Sequence, residues 1–492
     1  MLRRVSRGVR NTLPAMLLLA SLVTIATGQT TFTSPTFIPT SNTTTAIASG
    51  DFNEDGLPDL VVTDAQTNTA VVLFQSARGH FTPGTTMATG KGPDEIATGF
   101  FGGRDNLGLV IANGQDHSVS VFFGDGAGFF FANPPLQLTG NPKAVVVADF
   151  TRDGNSDIAV LDCVPQSTCT LKIFINDLSS GTIHVGQSIA IPGPVPTAKG
   201  MMVTADFNSD GRPDIALVNG KNQVMIFTSG TGGTLTLRST FNLPTGTIGN
   251  ALTWGSFNHD SFLDLAVRAF DPVICTSDCP NHILVYLNNG SGSFGLRSKV
   301  PTSHNGGFIT TADINGDQIQ DLVSVGANFR DPSLQYAQGH GDGTFAAPVT
   351  VASVTGDANG LLVRALNRDS RHDIAVVTQD ALVPNVGGTY VYFNVNAQTN
   401  CTPPTSAHLS ASICFPANGA VVSSPVTVKG AGNSPAGIKR IELWIDGVKR
   451  FQEWNDQLRT SISLPSGKHR IAVQAVDQND GATEAVSNIT VP

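Results

Sequence analysis

Charge is scarce in this chain. Lys, Arg, Asp and Glu make up 14% of its 492 residues, against roughly 25% in ordinary soluble proteins. What charge there is leans acidic, with 38 acids against 29 bases and a formal net charge of −9. That balance excludes electrostatic capture of nucleic acid or of an anionic bilayer as the main business of the protein. Helical periodicity is missing beyond the first 28 residues. So is any later apolar run approaching the ~20 residues of a membrane span, which excludes membrane insertion by a helix. Catalytic signatures are missing too: no His-Glu-x-x-His, no Gly-x-Ser-x-Gly elbow, no Gly-Lys-Ser/Thr phosphate loop. The 10 histidines are scattered, mostly in turns, with His259 and His372 inside acidic loops and His340 in a Gly-rich turn. They read as solvated loop residues. Only 4 tyrosines and few lysines are present, so no cluster of the kind a polysaccharide lyase uses stands out.

The first 28 residues have their own character. Arg3, Arg4, Arg7 and Arg10 precede an apolar run from Leu13 to Ala26, and Ala26-Thr27-Gly28 supplies small residues before Gln29. This is the pattern of a secretory signal peptide; the Arg3-Arg4 pair is a faint trace of twin-arginine export. Its removal would take the net charge from −9 to −13. The expected location is therefore extracellular or in the cell envelope. Export permits disulfides, and the 6 cysteines fall into three close pairs, Cys163/Cys169, Cys275/Cys279 and Cys401/Cys414. Six cysteines allow fifteen pairings; the local one is favoured, because each pair can staple one hairpin or linker.

What is present in quantity is glycine, at 51 residues, with Thr, Ser, Asn and Val, a composition of short strands and tight turns. One segment recurs: Asp51-Phe52-Asn53-Glu54-Asp55-Gly56-Leu57-Pro58-Asp59, then Asp149 through Asp157, Asp206 through Asp214 and Asp313 through Asp321. Weaker copies start at Ser256 and Ala365, and a degenerate one lies at Phe100-Phe101-Gly102. The seven copies stand 49 to 57 residues apart. Each is preceded by one apolar stretch and followed by two more. A Gly-rich turn such as Gly339-His340-Gly341-Asp342-Gly343-Thr344-Phe345 then leads to a fourth. Four short strands per ~50 residues is the signature of a propeller blade. The seventh unit stops after its third strand, and Thr31-Phe32-Thr33-Ser34-Pro35 resembles a fourth strand such as Phe81-Thr82-Pro83. Residues 31–38 are therefore expected to complete the last blade and close the ring.

Loop, spacing and turn together resemble the FG-GAP/VCBS repeat family, the propeller of integrin α-subunits and of many secreted bacterial proteins, over roughly residues 30–396. The resemblance implies a seven-bladed propeller with calcium in the loop between the first two strands of a blade. Residues about 404–492 look like a bacterial Ig-like domain, with alternating runs such as Ile441-Glu442-Leu443-Trp444-Ile445 before the turn Asp446-Gly447. The expected fold class is all-β, a seven-bladed propeller followed by a small sandwich. The expected division is signal peptide 1–28, propeller 29–398, and linker plus sandwich 399–492. Trp444 and Trp454 are expected in the sandwich core.

Calcium takes six to eight oxygens in flexible geometry. The loop offers side chains at positions one, three, five and nine and a backbone carbonyl at seven, with a glycine at six for the sharp turn. The expected ligands are Asp51, Asn53, Asp55, Leu57 and Asp59 in blade one. In blade three they are Asp149, Thr151, Asp153, Asn155 and Asp157. In blade four they are Asp206, Asn208, Asp210, Arg212 and Asp214, and in blade six Asp313, Asn315, Asp317, Ile319 and Asp321. Thr151 is the weaker ligand of its set, and Gln318 replaces the expected glycine, so strain is expected there. Blades five and seven lack the first Asp. Blade two carries Phe100, Gly102, Arg104 and Gly108 at the ligand positions and is expected to hold no ion. An EF-hand is excluded, because no Glu stands at position twelve and strands flank the loop. The acidic pair Asp94-Glu95 belongs to no loop and reads as an exposed turn.

These features point to a secreted, calcium-binding, non-enzymatic recognition or adhesion protein whose partner is an extracellular protein or a carbohydrate. Two readings compete with it: a carbohydrate-active enzyme or its binding module, and a structural envelope protein.

Overall fold

The computed structural model describes residues 32–491, apart from 78, 103–105, 178, 197–199, 271–280, 303–306, 327–332, 368–370, 380–386, 395–407, 417, 423, 425 and 455. The expected signal peptide, Cys275, Cys279, Cys401, Arg104 and the expected 399–406 linker lie outside the described residues.

The chain is all-β. Among the described residues, seven four-stranded antiparallel sheets are followed by a sheet of three strands and another of four. Blade one takes its strands from residues 44–88, blade two from 93–137, blade three from 141–191 and blade four from 202–242. Blades five and six span 248–302 and 307–353. Blade seven has three strands from 357–392 and a fourth from Thr36–Ile38. That last strand pairs Thr36 with Val391 and Ile38 with Thr389, and Phe32 bridges to Asn394. The first strands of neighbouring blades contact one another, and the first strands of blades seven and one meet as well, so the ring is closed. A closed ring removes the long open edges that sheets otherwise expose.

Burial explains the order of strands within a blade. The second strand is buried on both faces along its length, as in Asp157–Cys163, whose apolar run is Ile158 to Leu161. The fourth, such as Thr182–Ile191, is largely exposed. Seven apolar cores result, each shared by two adjacent blades: for example Phe150, Leu161 and Leu171 of blade three with Ile215 and Phe227 of blade four. Residues of blade seven, Leu366 and Ala375, meet Leu60 and Leu73 of blade one in the same way. The second loop position is the deepest plug in every blade. Phe52, Phe101, Phe150, Phe207, Phe257, Ile314 and Leu366 are all at most 1% exposed. Each buried Phe contributes roughly 1.5–3 kcal/mol of transfer free energy, and truncating one to Ala would cost about 3–5 kcal/mol.

The expected hairpin staple is present. Cys163 and Cys169 face each other across the second and third strands of blade three and are disulfide-bonded. Cys414 is disulfide-bonded as well.

The sandwich stacks strands Ser410–Phe415, Val426–Asn433 and Gln457–Ile462 against a sheet ordered Val448–Glu453, Ile438–Ile445, Gly467–Asp477, Ala482–Val491. Val428, Ile441, Leu443, Leu458, Ile471 and Val473 fill the space between them. Trp444 and Trp454 are not in that core, contrary to the expectation. Trp444 points outward on its strand, and Trp454 is 45% exposed. No helix among the described residues is long and apolar enough to cross a membrane.

Candidate functional site: the acidic blade loops

Each acidic loop leaves the end of a blade's first strand and re-enters at the start of its second. In blade one the backbone turns left-handed at Glu54 (φ 54°) and again at Gly56 (φ 78°). The second turn carries the Gly56 N–H onto Asp51 Oδ2 at 2.9 Å. Asn53 Oδ1 accepts from the Asp55 N–H at 3.2 Å, and Asn53 Nδ2 donates to Asp55 Oδ2 at 3.1 Å. Asp55 Oδ1 accepts from the Leu57 N–H at 2.7 Å. Blade four repeats this set. Asp206 Oδ2 accepts from Gly211, Asn208 bonds Asp210 through both amide atoms, and Asp210 Oδ1 accepts from Arg212. Blade six does the same with Asp313, Asn315, Asp317 and Ile319. In blade three Thr151 cannot supply the amide. Asn155 substitutes, donating its Nδ2 to Asp153 Oδ1 at 3.0 Å, while Asp149 still accepts from Gly154.

Gln318 does take the left-handed conformation (φ 72°) that glycine takes elsewhere. It is held there by its N–H bond to Asp313 Oδ2 at 2.8 Å. In blade five His259 is left-handed but Ser261 is not among the positive-φ residues, so the loop that lacks the first Asp has also lost the second turn.

The ninth position behaves differently from the others. Asp59, Asp157, Asp214, Asp264, Asp321 and Asp373 are all 0% exposed. Each carboxylate seats on two backbone N–H groups. For Asp59 these are Phe52 at 3.1 Å, in the loop, and Gln75 at 2.9 Å, in the third strand. The pairs for Asp214 are Phe207 and Ser229, for Asp264 Phe257 and Asn288, for Asp321 Ile314 and Gly339, and for Asp373 Leu366 and Asn394. Asp157 uses Thr151 and Asn176. The seat is kept in blades five and seven, where the first Asp is lost. It is therefore a frame tying loop to blade. A carboxylate has about four lone-pair sites, so the frame leaves acceptor capacity on the same oxygens.

Burial pushes Asp59 and Asp321 up to about 7, and Asp157, Asp214 and Asp264 up to about 6. The neighbouring carboxylates add to the rise: Asp55 and Asp51 on Asp59, Asp210 and Asp206 on Asp214, Asp317 and Asp313 on Asp321. Three carboxylates thus repel one another within each of these nine-residue loops. Among the described residues no three His, Cys, Asp or Glu side chains form a ready-made metal cluster; in blades one, four and six the side chain that meets the fifth-position Asp is an Asn. Asp369, in the loop of blade seven, lies outside the described residues.

A second set of bonds joins loops to the neighbouring blade. The carbonyl at the second loop position is bonded from the following blade. Asn176 Nδ2 reaches Phe101 O at 2.8 Å, Asn288 Nδ2 reaches Phe207 O at 2.7 Å, and Asn394 Nδ2 reaches Ile314 O at 2.7 Å. Gln75 Nε2 bonds Leu366 O across the ring closure. In blades two and six a turn glycine replaces the side chain, with Gly128 N on Phe52 O at 3.0 Å and Gly343 N on Phe257 O at 2.8 Å. The only signal in the sequence is an Asn or Gln at the end of a third strand.

Blade two meets the loss of its acids by leaning on blade three. Phe100 donates its N–H to Ser156 Oγ at 2.9 Å, and its carbonyl accepts from the Ser156 N–H at 2.8 Å. Gly108 stands where the ninth Asp would be, and a Cβ there would meet Phe122 O at 2.4 Å. The Asp94-Glu95 pair is not an exposed turn. It lies in the strand Pro93–Phe100, and the Glu95 carboxylate accepts from Val145 of blade three at 2.7 Å and from Gly200, ahead of blade four, at 2.9 Å. His372 is likewise half-buried, with Nδ1 at 2.9 Å from Asp313 O.

These observations define a seven-bladed β-propeller built on acidic nine-residue loops, with an Ig-like sandwich after it. The comparisons with known proteins carry the same two signatures. A model of the FG-GAP-like repeat matches residues 206–267, and one of the bacterial Ig domain matches residues 410–473. No curated protein matches. Among solved structures, BBS1N in complex with ARL6DN is 11% identical over 75% of this chain and 98% of its own, with a TM-score of 0.49. The periplasmic gluconolactonase PpgL of Pseudomonas aeruginosa is 15% identical over 63% of this chain and 85% of its own, with a TM-score of 0.47. The fibronectin(III)-like modules of Clostridium thermocellum CbhA are 21% identical over 17% of this chain and 96% of theirs, with a TM-score of 0.16.

Proposed function

We propose that this is a secreted recognition module, stabilised by calcium and without catalytic activity, that binds an extracellular protein or glycan. The observation that carries the calcium is the crowding of three carboxylates in each of the loops 51–59, 206–214 and 313–321, where each raises the pKa of the innermost one. A divalent cation bound by the side chains of positions one, three and five and by the carbonyls of Leu57, Arg212 or Ile319 would relieve that repulsion. Loop 149–157 fits the same ion less well, with Thr151 in place of Asn. Calcium here rigidifies the loops that space the blades. It supplies charge neutralisation and no reaction. The disulfide Cys163–Cys169 and the lack of a membrane-spanning helix among the described residues are compatible with export.

A binding screen of the exported chain on polysaccharides and extracellular proteins, in calcium and in EDTA, tests this reading. Retention that EDTA weakens, without soluble products, is the expected result. Release of reducing or unsaturated sugar would make the protein an enzyme and sink the proposal.

A further inference from the structure

Two of the three tryptophans of the chain belong to the solvent side of one sandwich sheet. Along Ile438–Ile445 the side chains of Ile441, Leu443 and Ile445 enter the core, so Arg440, Glu442 and Trp444 face outward. Trp444 lies opposite Lys449 on one neighbouring strand and Ala472 on the other. The Glu442 side chain is 4% exposed. It accepts from Arg440 Nε at 2.6 Å, Lys449 Nζ at 2.7 Å and Trp444 Nε1 at 3.1 Å. The Arg440 guanidinium in turn stands 5.9 Å from the centre of the Trp454 ring, within cation–π range.

A buried carboxylate is costly unless it is fully paired, and the sandwich closes its core on the opposite side of this sheet. What the cluster achieves is to fix two indole rings, a guanidinium and an ammonium at a surface. Arg440 covers one side of the Trp454 ring, and the residue remains 45% exposed. The face is also positive in an acidic chain. Alternation places Arg440, Lys449, Lys468 and Arg470 outward against Glu442 and Glu484, and both acids are already paired, Glu484 with Arg470 at 2.7 Å.

We propose that this face binds a saccharide carrying carboxylates, a uronate-bearing chain, with a sugar ring stacked on Trp454 and its carboxylate held by Arg440 and Lys449. Charge selects the anion. The flat, backed indole selects a ring with an apolar side, which an acidic peptide does not offer. The proposal deepens the recognition reading for the sandwich alone and does not depend on the calcium loops.

The test is calorimetric titration of the full chain with octagalacturonate and with a hyaluronan octasaccharide. Cellohexaose serves as the neutral comparator, and poly-L-glutamate and oligo(dT) as anionic ones. At least one uronate oligosaccharide binds saturably and more tightly than all three comparators. Trp454→Ala weakens it roughly tenfold or more, as loss of a stacked anchor does, and Arg440→Gln weakens it as well, while Trp254→Ala, at the exposed tryptophan of the first strand of blade five, changes nothing. Arg440→Gln carries the test if Trp454→Ala alters thermal unfolding. Absence of binding by both uronates overturns the proposal, as does tighter binding of poly-L-glutamate or oligo(dT). Glycan binding that EDTA abolishes and Trp454→Ala spares would overturn it too, while leaving the recognition reading standing.

Discussion

Asn288, the last residue of the third strand of blade five, donates its side-chain amide to the carbonyl of Phe207 in blade four at 2.7 Å. Its own N–H is held at 2.8 Å by Asp264. One residue thus joins a blade to its own loop and to the loop before it.

Replacing Asn288 by Ala leaves a buried carbonyl without its donor. A cost of roughly 1–3 kcal/mol is expected, read as a lower midpoint in urea unfolding. A midpoint unchanged within error would show that the inter-blade bond contributes nothing.

The frame role and the ion role of the loop aspartates separate by mutation. Asp264→Ala, in a loop without the first Asp, should destabilise equally in calcium and in EDTA. The expected size is roughly 2–3 kcal/mol, from losing hydrogen bonds to a charged group. Asp210→Asn should matter mainly with calcium present. Saturating calcium at 100 times the Kd adds about 2.7 kcal/mol per site, and this variant should lose one such share of the calcium-induced shift in Tm. Equal calcium responses in both variants and the parent would refute the division.

Gln318 occupies a left-handed turn that glycine occupies in blades one, three and four. Gln318→Gly should therefore stabilise by roughly 0.5–1 kcal/mol, since a non-glycine residue there is strained. Thermal unfolding of the two chains decides it. A lower Tm for the glycine variant would mean that the Gln side chain contributes more than its backbone strain costs.

His469 Nδ1 lies 2.7 Å from Asp446 Oδ2, and its Nε2 lies 2.9 Å from Pro465 O. With both ring nitrogens facing acceptors, the imidazolium is the favoured form. The Asp446 bond raises the His469 pKa above 6.5, and His469 lowers the Asp446 pKa below 3.8. A raised histidine stabilises fully below its unfolded pKa and loses that contribution as pH rises through the folded one. A lowered carboxyl stabilises above its unfolded pKa and loses that as pH falls through the folded one. Sandwich stability should therefore be greatest between the unfolded carboxyl and histidine values, 3.8 and 6.5, and fall as pH rises from 6.5 through the raised His469 pKa. His469→Gln should flatten the alkaline side of the profile.

The acidic loops were legible because everything that shapes them lies within nine consecutive residues. The left-handed turns, the Asn amide and the carboxylates are all local, and glycine marks one of the turns. Ring closure was legible too, since the composition of a fourth strand appears at the wrong end of the chain; Thr36–Ile38 takes that place. The bonds that lock one blade to the next were not. Phe101 and Asn176 are 75 residues apart, and Gln75 and Leu366 are 291 apart. The hairpins between a ninth Asp and its latch vary in length, so no fixed spacing betrays them. Glu95 was misread for the same reason, because its partners lie far along the chain, Val145 in blade three and Gly200 just ahead of blade four. Trp454 was misread because alternation along a strand does not say whether its outer side meets a partner or water. The sequence by itself determined the repeat, the strand order and the loop chemistry, which are local matters of turn conformation and apolar alternation. Only the tertiary structure decided which carboxylates frame the ring, which amides lock it and which aromatics face solvent, because burial and long-range pairing exist only once the ring has closed.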